Sequence, residues 1–361
     1  MTVIDTMKKH LRQATPDLGA HQVDLLSRLI PALMRCRSVN LMKVAGAMSG
    51  PAHKMSRYRR LQRFFSSALS PRIFSQWIVD RLVRPDRVTL LTLTMDRTHW
   101  RFGQAEQNLL CLGLLYGGVS IPLETLPLGK AGNSNTQERM LVLRRAWSYL
   151  KDTPCCLLAD REFIGGEWFA QLLARPEMDF VIRIRENSQV TFAEGRTTDL
   201  GLWVRRLPKG HTWYYYEILL YESGTPVHVN LVCHRSLQDE VILLVTNRSD
   251  LKQALGWYRQ RWSIETTFSC LKSRGFDLED THLTHPDRLA LLMGVLSWCL
   301  LWCVLVGLEH HQRKAIPLKK HGRKAISFVR LGLDSVQEAI HNFSHRWREY
   351  RHYCRLLLSC T

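Results

Sequence analysis

The sequence predicts an α/β protein: a sheet-and-helix core with an all-β insertion, a helical region before it and another after it. Three observations carry this. In the middle of the chain, β-branched and apolar runs alternate with segments of helical period. Between about 188 and 247 only strand-like runs occur, joined by glycine-containing links. The charge divides the same way: residues 1–85 hold 15 basic and 4 acidic side chains, 86–308 hold 24 of each, and 309–361 hold 11 and 4. The expected units are therefore a helical region 1–85, an α/β region 86–308 with its insertion at about 188–247, and a basic helical region 309–361.

In the first unit, Leu25, Leu26, Leu29, Ile30 and Leu33 follow helical spacing, as do Phe65, Leu69, Phe74 and Ile78 with interruptions. Between these groups, Lys54–Arg63 interleaves Arg57, Arg59, Arg60 and Arg63 with Tyr58 and Leu61. Cationic ends around a neutral middle suit a polyanionic partner, because each phosphate contact releases a counterion. The basic tract then reads as a nucleic-acid contact, with an exposed cationic helix face as the alternative.

In the second unit, Val88–Asp96 is a buried strand, Leu109–Tyr116 a second, Gly117-Gly118 a hairpin turn and Val119–Leu128 a third strand. A helix over Gln137–Leu150, a short strand Cys155–Ala159 ending at Asp160, a helix Gly165–Ala174 and a strand Phe180–Arg185 follow. The insertion contributes strands at His211–Tyr221, Val227–Cys233 and Val241–Thr246, and Ser249–Ser273 returns to helix. Leu289–Leu308 has no charged residue and is long enough to span a bilayer. Its tryptophans, cysteines and glycines favour a helix buried on all sides. The ten cysteines include no CxxC pair, which predicts buried reduced thiols, not a disulfide framework or zinc site. The N-terminus carries no secretory pattern.

Asp96 and Asp160 each close a buried strand. Such a carboxylate needs something to offset its charge: a hard divalent cation, or pairing with an arginine, since Arg97 and Arg161 directly follow. Glu265 lies in Trp257–Lys272. On a straight helix, Tyr258, Arg261, Glu265 and Lys272 share a stripe about 60° wide. An acid and two cations could then point into one cleft, although Arg261 and Glu265 could equally form a simple i,i+4 pair.

The spacing Tyr258-x2-Arg261-x3-Glu265-x6-Lys272 resembles the Tyr-Arg-Glu-Lys signature of transposases of the insertion sequence 4 family. These belong to the wider class with an Asp-Asp-Glu triad on a ribonuclease H-like fold. Asp96 in Met95-Asp-Arg-Thr98 and Asp160 in Ala159-Asp-Arg-Glu-Phe163 resemble the family's first and second acids. A β insertion between the second Asp and the Glu is a family trait. Lys319–Ala325 and Phe328–Asp334 look like its C-terminal sequence, so the resemblance covers roughly 50–335.

The resemblance implies two Mg²⁺ or Mn²⁺ ions held by Asp96, Asp160 and Glu265, with Asp96 bridging them. It further implies cut-and-paste transposition through a hairpin, acting on double-stranded transposon ends and target DNA. Tyr258, Arg261 and Lys272 would grip terminal phosphates; a homodimer would form the synaptic complex; and the setting would be the bacterial cytoplasm and nucleoid, with no membrane partner. Relatives stack a flipped base on a tryptophan in the insertion. Glu240–Thr246 has none here, leaving Trp203 or Trp213–Tyr216 as substitutes or as ordinary strand residues. The alternative functions are a non-catalytic repressor derived from a transposase and a general metal-dependent nuclease.

Overall fold

The computed structural model describes residues 2–83, 90–320, 322 and 324–359. The expected boundary at 85 and the strand start at Val88 lie outside the described residues, as do His321 and Arg323 of the basic tract. Five helices come first: α1 (Val3–Ala14), α2 (Ala20–Cys36), α3 (Leu41–Ala47), α4 (Lys54–Phe65) and α5 (Arg72–Leu82). Helix α1 starts at a reciprocal cap between Thr2 and Asp5, and α3 starts where the Asn40 side chain accepts from the backbone N–H groups of Met42 and Lys43.

The sheet begins with a meander of β1 (Leu91–Phe102), β2 (Ala105–Tyr116) and β3 (Val119–Pro127). Gly117 and Gly118, at φ 59° and 77°, supply the two left-handed residues of the tight turn between β2 and β3. Then come α6 (Thr136–Leu150), β4 (Cys155–Ala159), α7 (Gly166–Leu173) and β5 (Met178–Arg183). The insertion supplies β6 (Gln189–Thr191), β7 (Thr197–Asp199), α8 (Leu200–Val204), β8 (Thr212–Tyr221), β9 (Val227–Arg235) and β10 (Val241–Thr246). It is thus not wholly β, since Asp199 caps one short helix, α8.

Among the described residues the strands form one ten-stranded sheet in the order β3-β2-β1-β4-β5-β10-β9-β8-β6-β7. β4 runs parallel to β1 and β5, and the other pairings are antiparallel. The insertion therefore continues the central sheet: β10 pairs with β5, setting Val245 against Ile182.

The helix expected over Ser249–Ser273 is broken into three. A 3₁₀ turn (Leu251–Gln253) leads to α9 (Ala254–Arg259) and α10 (Trp262–Leu271). At the break, the N–H groups of Gln260 and Arg261 bond three residues back, to the carbonyls of Trp257 and Tyr258. That local tightening overturns the straight-helix angles on which the four-residue stripe rested.

Helices α11 (Pro286–Arg313), α12 (Phe328–His341) and α13 (Phe343–Leu358) complete the chain. Helix α11 is apolar and long enough to cross a membrane, but 89% of its apolar window is buried within the protein. It packs on β3 and on α2, α4, α5, α12 and α13. The boundary expected at 308 falls inside it. Helix α1 packs on α13 and α2 on α12, so the two basic ends of the chain are neighbours. The described cysteines are free thiols, and all but Cys36 are buried.

Candidate active site

The register of the parallel strands places the two aspartates side by side. Thr94 lies beside Leu158 and Met95 beside Ala159, the last paired residues of β1 and β4. Asp96 and Asp160 come next on their strands. Alternation then puts both on the sheet face that carries Thr94 and Leu158. Leu158, Val181, Val232 and Leu244 pack there against Ala254 and Tyr258 of α9. The break after α9 redirects the chain, and α10 runs on across β3 and β1. Arg261 occupies that break and Glu265 the first turn of α10.

Arg261 joins one strand-borne acid, Asp96, to the helix-borne one, Glu265. Its Nη1 donates to Asp96 Oδ2 at 3.3 Å and its Nη2 to Glu265 Oε1 at 2.7 Å, although Asp96 and Arg261 are 165 positions apart. Only 5% of Arg261 is exposed, and its guanidinium lies 5.7 Å from the Tyr258 ring centroid. Arg261 Nε and Ser263 Oγ are buried without a hydrogen-bond partner. The i,i+4 pairing of Arg261 with Glu265 therefore does form, and Asp96 is indeed paired with an arginine, but Arg261 takes the place expected for Arg97.

Burial pushes the Asp96 carboxyl up to about 6, and the negative charges of Asp160 and Glu162 add to that; the Arg97 N–H and Arg261 pull the other way. Asp160 accepts from the backbone N–H of Arg161 at 2.6 Å. Lys272 does not join the acids. Its Nζ donates to the His99 carbonyl at 3.0 Å, three residues beyond Asp96 on β1, and pairs with Glu279 at 2.9 Å.

The groups that hold the two strand ends together are not apparent from the order of residues in the sequence. Arg97 forks onto both oxygens of Glu162, with Nη2 to Oε2 at 2.8 Å, and reaches Asn108 and Asn133 at 3.0 Å each. Buried Arg139 donates to the Glu162 carbonyl at 2.9 Å. The residue after one acid thus binds the residue two after the other. The repeated Asp-Arg dipeptide was the available signal, but it pointed to pairing within each dipeptide.

The N-terminal arginines divide. Arg57 donates to the carbonyls of Met48 and Gly50, and Arg60 to Asp24, so these two hold the helices together. Arg59 and Arg63 are exposed and have no carboxylate partner among the described residues. In the insertion, Trp203, Trp213, Tyr215 and Phe192 pack on one another, with Trp203 Nε1 donating to Tyr215 Oη at 2.9 Å. Tyr214 and Tyr216 are exposed on the opposite face of β8.

A large mixed α/β sheet protein with paired strand-end aspartates facing a helix-borne glutamate is the class these features define. Residues 93–302, more than half of the chain, match the family described as the transposase DDE domain, and the chain belongs to that family. No curated protein matches it. A solved structure, a piggyBac transposase synaptic complex with hairpin DNA, is similar over 99% of this chain and 83% of that one, at 13% identity and a TM-score of 0.41.

Proposed function

We propose that the protein is a DNA transposase of the insertion sequence 4 type, with Asp96, Asp160 and Glu265 as its catalytic acids. The observation that carries this is the meeting of Asp96, from a buried strand, and Glu265, from a helix beyond the insertion, on one guanidinium beside Asp160. The order β3-β2-β1-β4-β5, with β1, β4 and β5 parallel, supports a ribonuclease H-like core for the 86–308 region.

The donor set is all carboxylate oxygen, which suits Mg²⁺ or Mn²⁺. Among the described residues no three Asp, Glu, His or Cys side chains stand close enough to hold an ion. Arg261 is the shared counter-charge of Asp96 and Glu265. Two bound ions would supply Lewis-acid assistance to in-line phosphoryl displacement. Asp96, Asp160 and Glu265 would hold them, and Arg261, released from the carboxylates, would offer its planar donor fork to a terminal phosphate. Buried Tyr258 backs that guanidinium, and Lys272, at the end of α10, reaches β1 at the His99 carbonyl as a second cation. Cleavage at both transposon ends followed by strand transfer calls for a homodimer, with the helical 1–85 region reading the ends through Arg59 and Arg63. The expected setting is the bacterial nucleoid.

The second reading is a non-catalytic DNA-binding protein, in which Arg261 serves only to tie Asp96 to Glu265. Mg²⁺-dependent cleavage of a duplex carrying the element's inverted-repeat end separates the two. The wild type should cut, and Glu265→Gln should bind the end but not cut. Cleavage that survives in Glu265→Gln would remove the metal role; a wild type that binds and never cuts would favour the second reading.

A further inference from the structure

We propose that the groove between α10, the β2–β3 turn and the start of α12 holds the phosphate backbone of duplex DNA leading away from the acids. This rests on the reading of the protein as a DNA transposase. The groove has a volume of about 880 Å³, and Thr266, the residue after Glu265, forms part of its wall. It therefore opens beside the helix that carries the third acid.

Arg274, Lys324 and Arg330 line the groove, and no carboxylate does. Among the described residues, Arg274 and Lys324 have no acidic partner. Arg330 shares Asp334 with Arg37, at 2.8 and 3.5 Å. Lys324 Nζ sits 4.6 Å above the Phe328 ring, so an apolar surface holds its charge at the groove wall. Cations along a low-dielectric trough focus positive potential there, which draws a polyanion.

Close packing makes the trough rigid. A Cβ on Gly332 would lie 1.8 Å from the Cys303 carbonyl oxygen, and one on Gly307 would lie 2.0 Å from that of Phe328. These two glycines let α12 press directly on α11, and Ser327 and Arg330 line the same groove as Ser273 and Arg274. The turn at Gly117, which also lines the groove, abuts Val304 and Leu308 of α11. Helix, turn and helix are thus held at fixed separations, as a backbone-positioning contact requires.

The test uses the full chain with duplex DNA, without divalent ions so that nothing is cut, and follows affinity against salt. Each phosphate neutralised contributes about 0.9 to the log–log slope. The triple variant Arg274→Gln, Lys324→Gln, Arg330→Gln should bind with a slope shallower by about 2 to 3, with an unchanged melting temperature. An unchanged slope would overturn the groove while leaving the transposase reading intact. A wild type that shows no salt-dependent DNA binding would remove both. If the triple variant misfolds, Ser273→Cys carrying a photo-crosslinker decides: crosslinking to the duplex supports the groove, and its absence refutes it. Crosslinking lost to inorganic phosphate alone would make this a small-anion site and also overturn the proposal.

Discussion

Replacing Asp96 by Asn should make the protein more stable at pH 8 and, on the proposed function, abolish cleavage. Burial raises the Asp96 carboxyl from its ordinary 3.8 to about 6. Its folded-state pKa thus exceeds the unfolded one, so between these values the folded chain binds more protons than the unfolded one. Stability falls as pH rises through that window. Each tenfold change in proton affinity is about 1.4 kcal/mol, so above pH 6 the charged carboxylate costs roughly 3 kcal/mol relative to acid conditions. Asn has the same shape and no such dependence, and Arg261 keeps Glu265 as its partner.

At about 2.1 cal/mol/K per residue, the unfolding entropy of the 361-residue chain is near 0.8 kcal/mol/K. The variant should therefore melt about 4 °C above the wild type at pH 8, and the two should converge near pH 4. Scanning calorimetry of both proteins across pH 4–8 measures this, because titrating groups that do not interact with Asp96 cancel in the difference. Mg²⁺ should narrow the gap at pH 8 by stabilising only the wild type. A difference independent of pH, or a variant less stable at pH 8, would refute the argument that the buried charge of Asp96 costs the fold stability.

Three further outcomes are expected. Asp24 gathers Lys8, Arg28 and Arg60 at 2.6, 3.1 and 2.7 Å; burial pushes its carboxyl up, but these three hydrogen bonds outweigh it and hold the pKa well below the usual range. Asp24→Asn should cost about 1–3 kcal/mol in urea unfolding at pH 7, with the deficit fading in strong acid as the wild-type carboxylate protonates. Gly332→Ala should cost about 1–3 kcal/mol or more, because its methyl group meets the Cys303 backbone; an unchanged melting temperature would contradict the close approach of α11 and α12. Deleting the helices up to residue 83 should yield aggregated protein, since α1 leaves α13, α2 leaves α12, and Trp298 loses the Phe74 carbonyl at 3.1 Å. A soluble, cooperatively unfolding remainder would show instead that the N-terminal helices form an independent unit.

The strand ends at Ala159 and Thr246 were legible because β-branched and apolar runs stop sharply at polar residues. The positions of Asp96 and Asp160 at the ends of such runs were legible in the same way, whereas the expectation that Glu265 belongs with them came from the resemblance of its surroundings to a family signature. The buried nature of α11 could also be read, from the residues that interrupt its apolar run. The break at Arg261 could not: its 3₁₀ bonds form because α9 must lie on the sheet while α10 turns across β3 and β1, a demand set by parts of the chain far away in sequence.

Local sequence thus determined which segments are strands and helices, where the charge lies and which acids stand at strand ends, since propensity and periodicity act over a few residues. Tertiary structure alone decided the partners. It paired Arg261 with Asp96, Arg97 with Glu162 and Arg60 with Asp24, because an ion pair depends on distance in space and burial, and a dipeptide reports neither. It also made the insertion an extension of the central sheet and brought the two basic ends of the chain together around α11, since β5 had an open edge and the apolar faces of the end helices had to be covered.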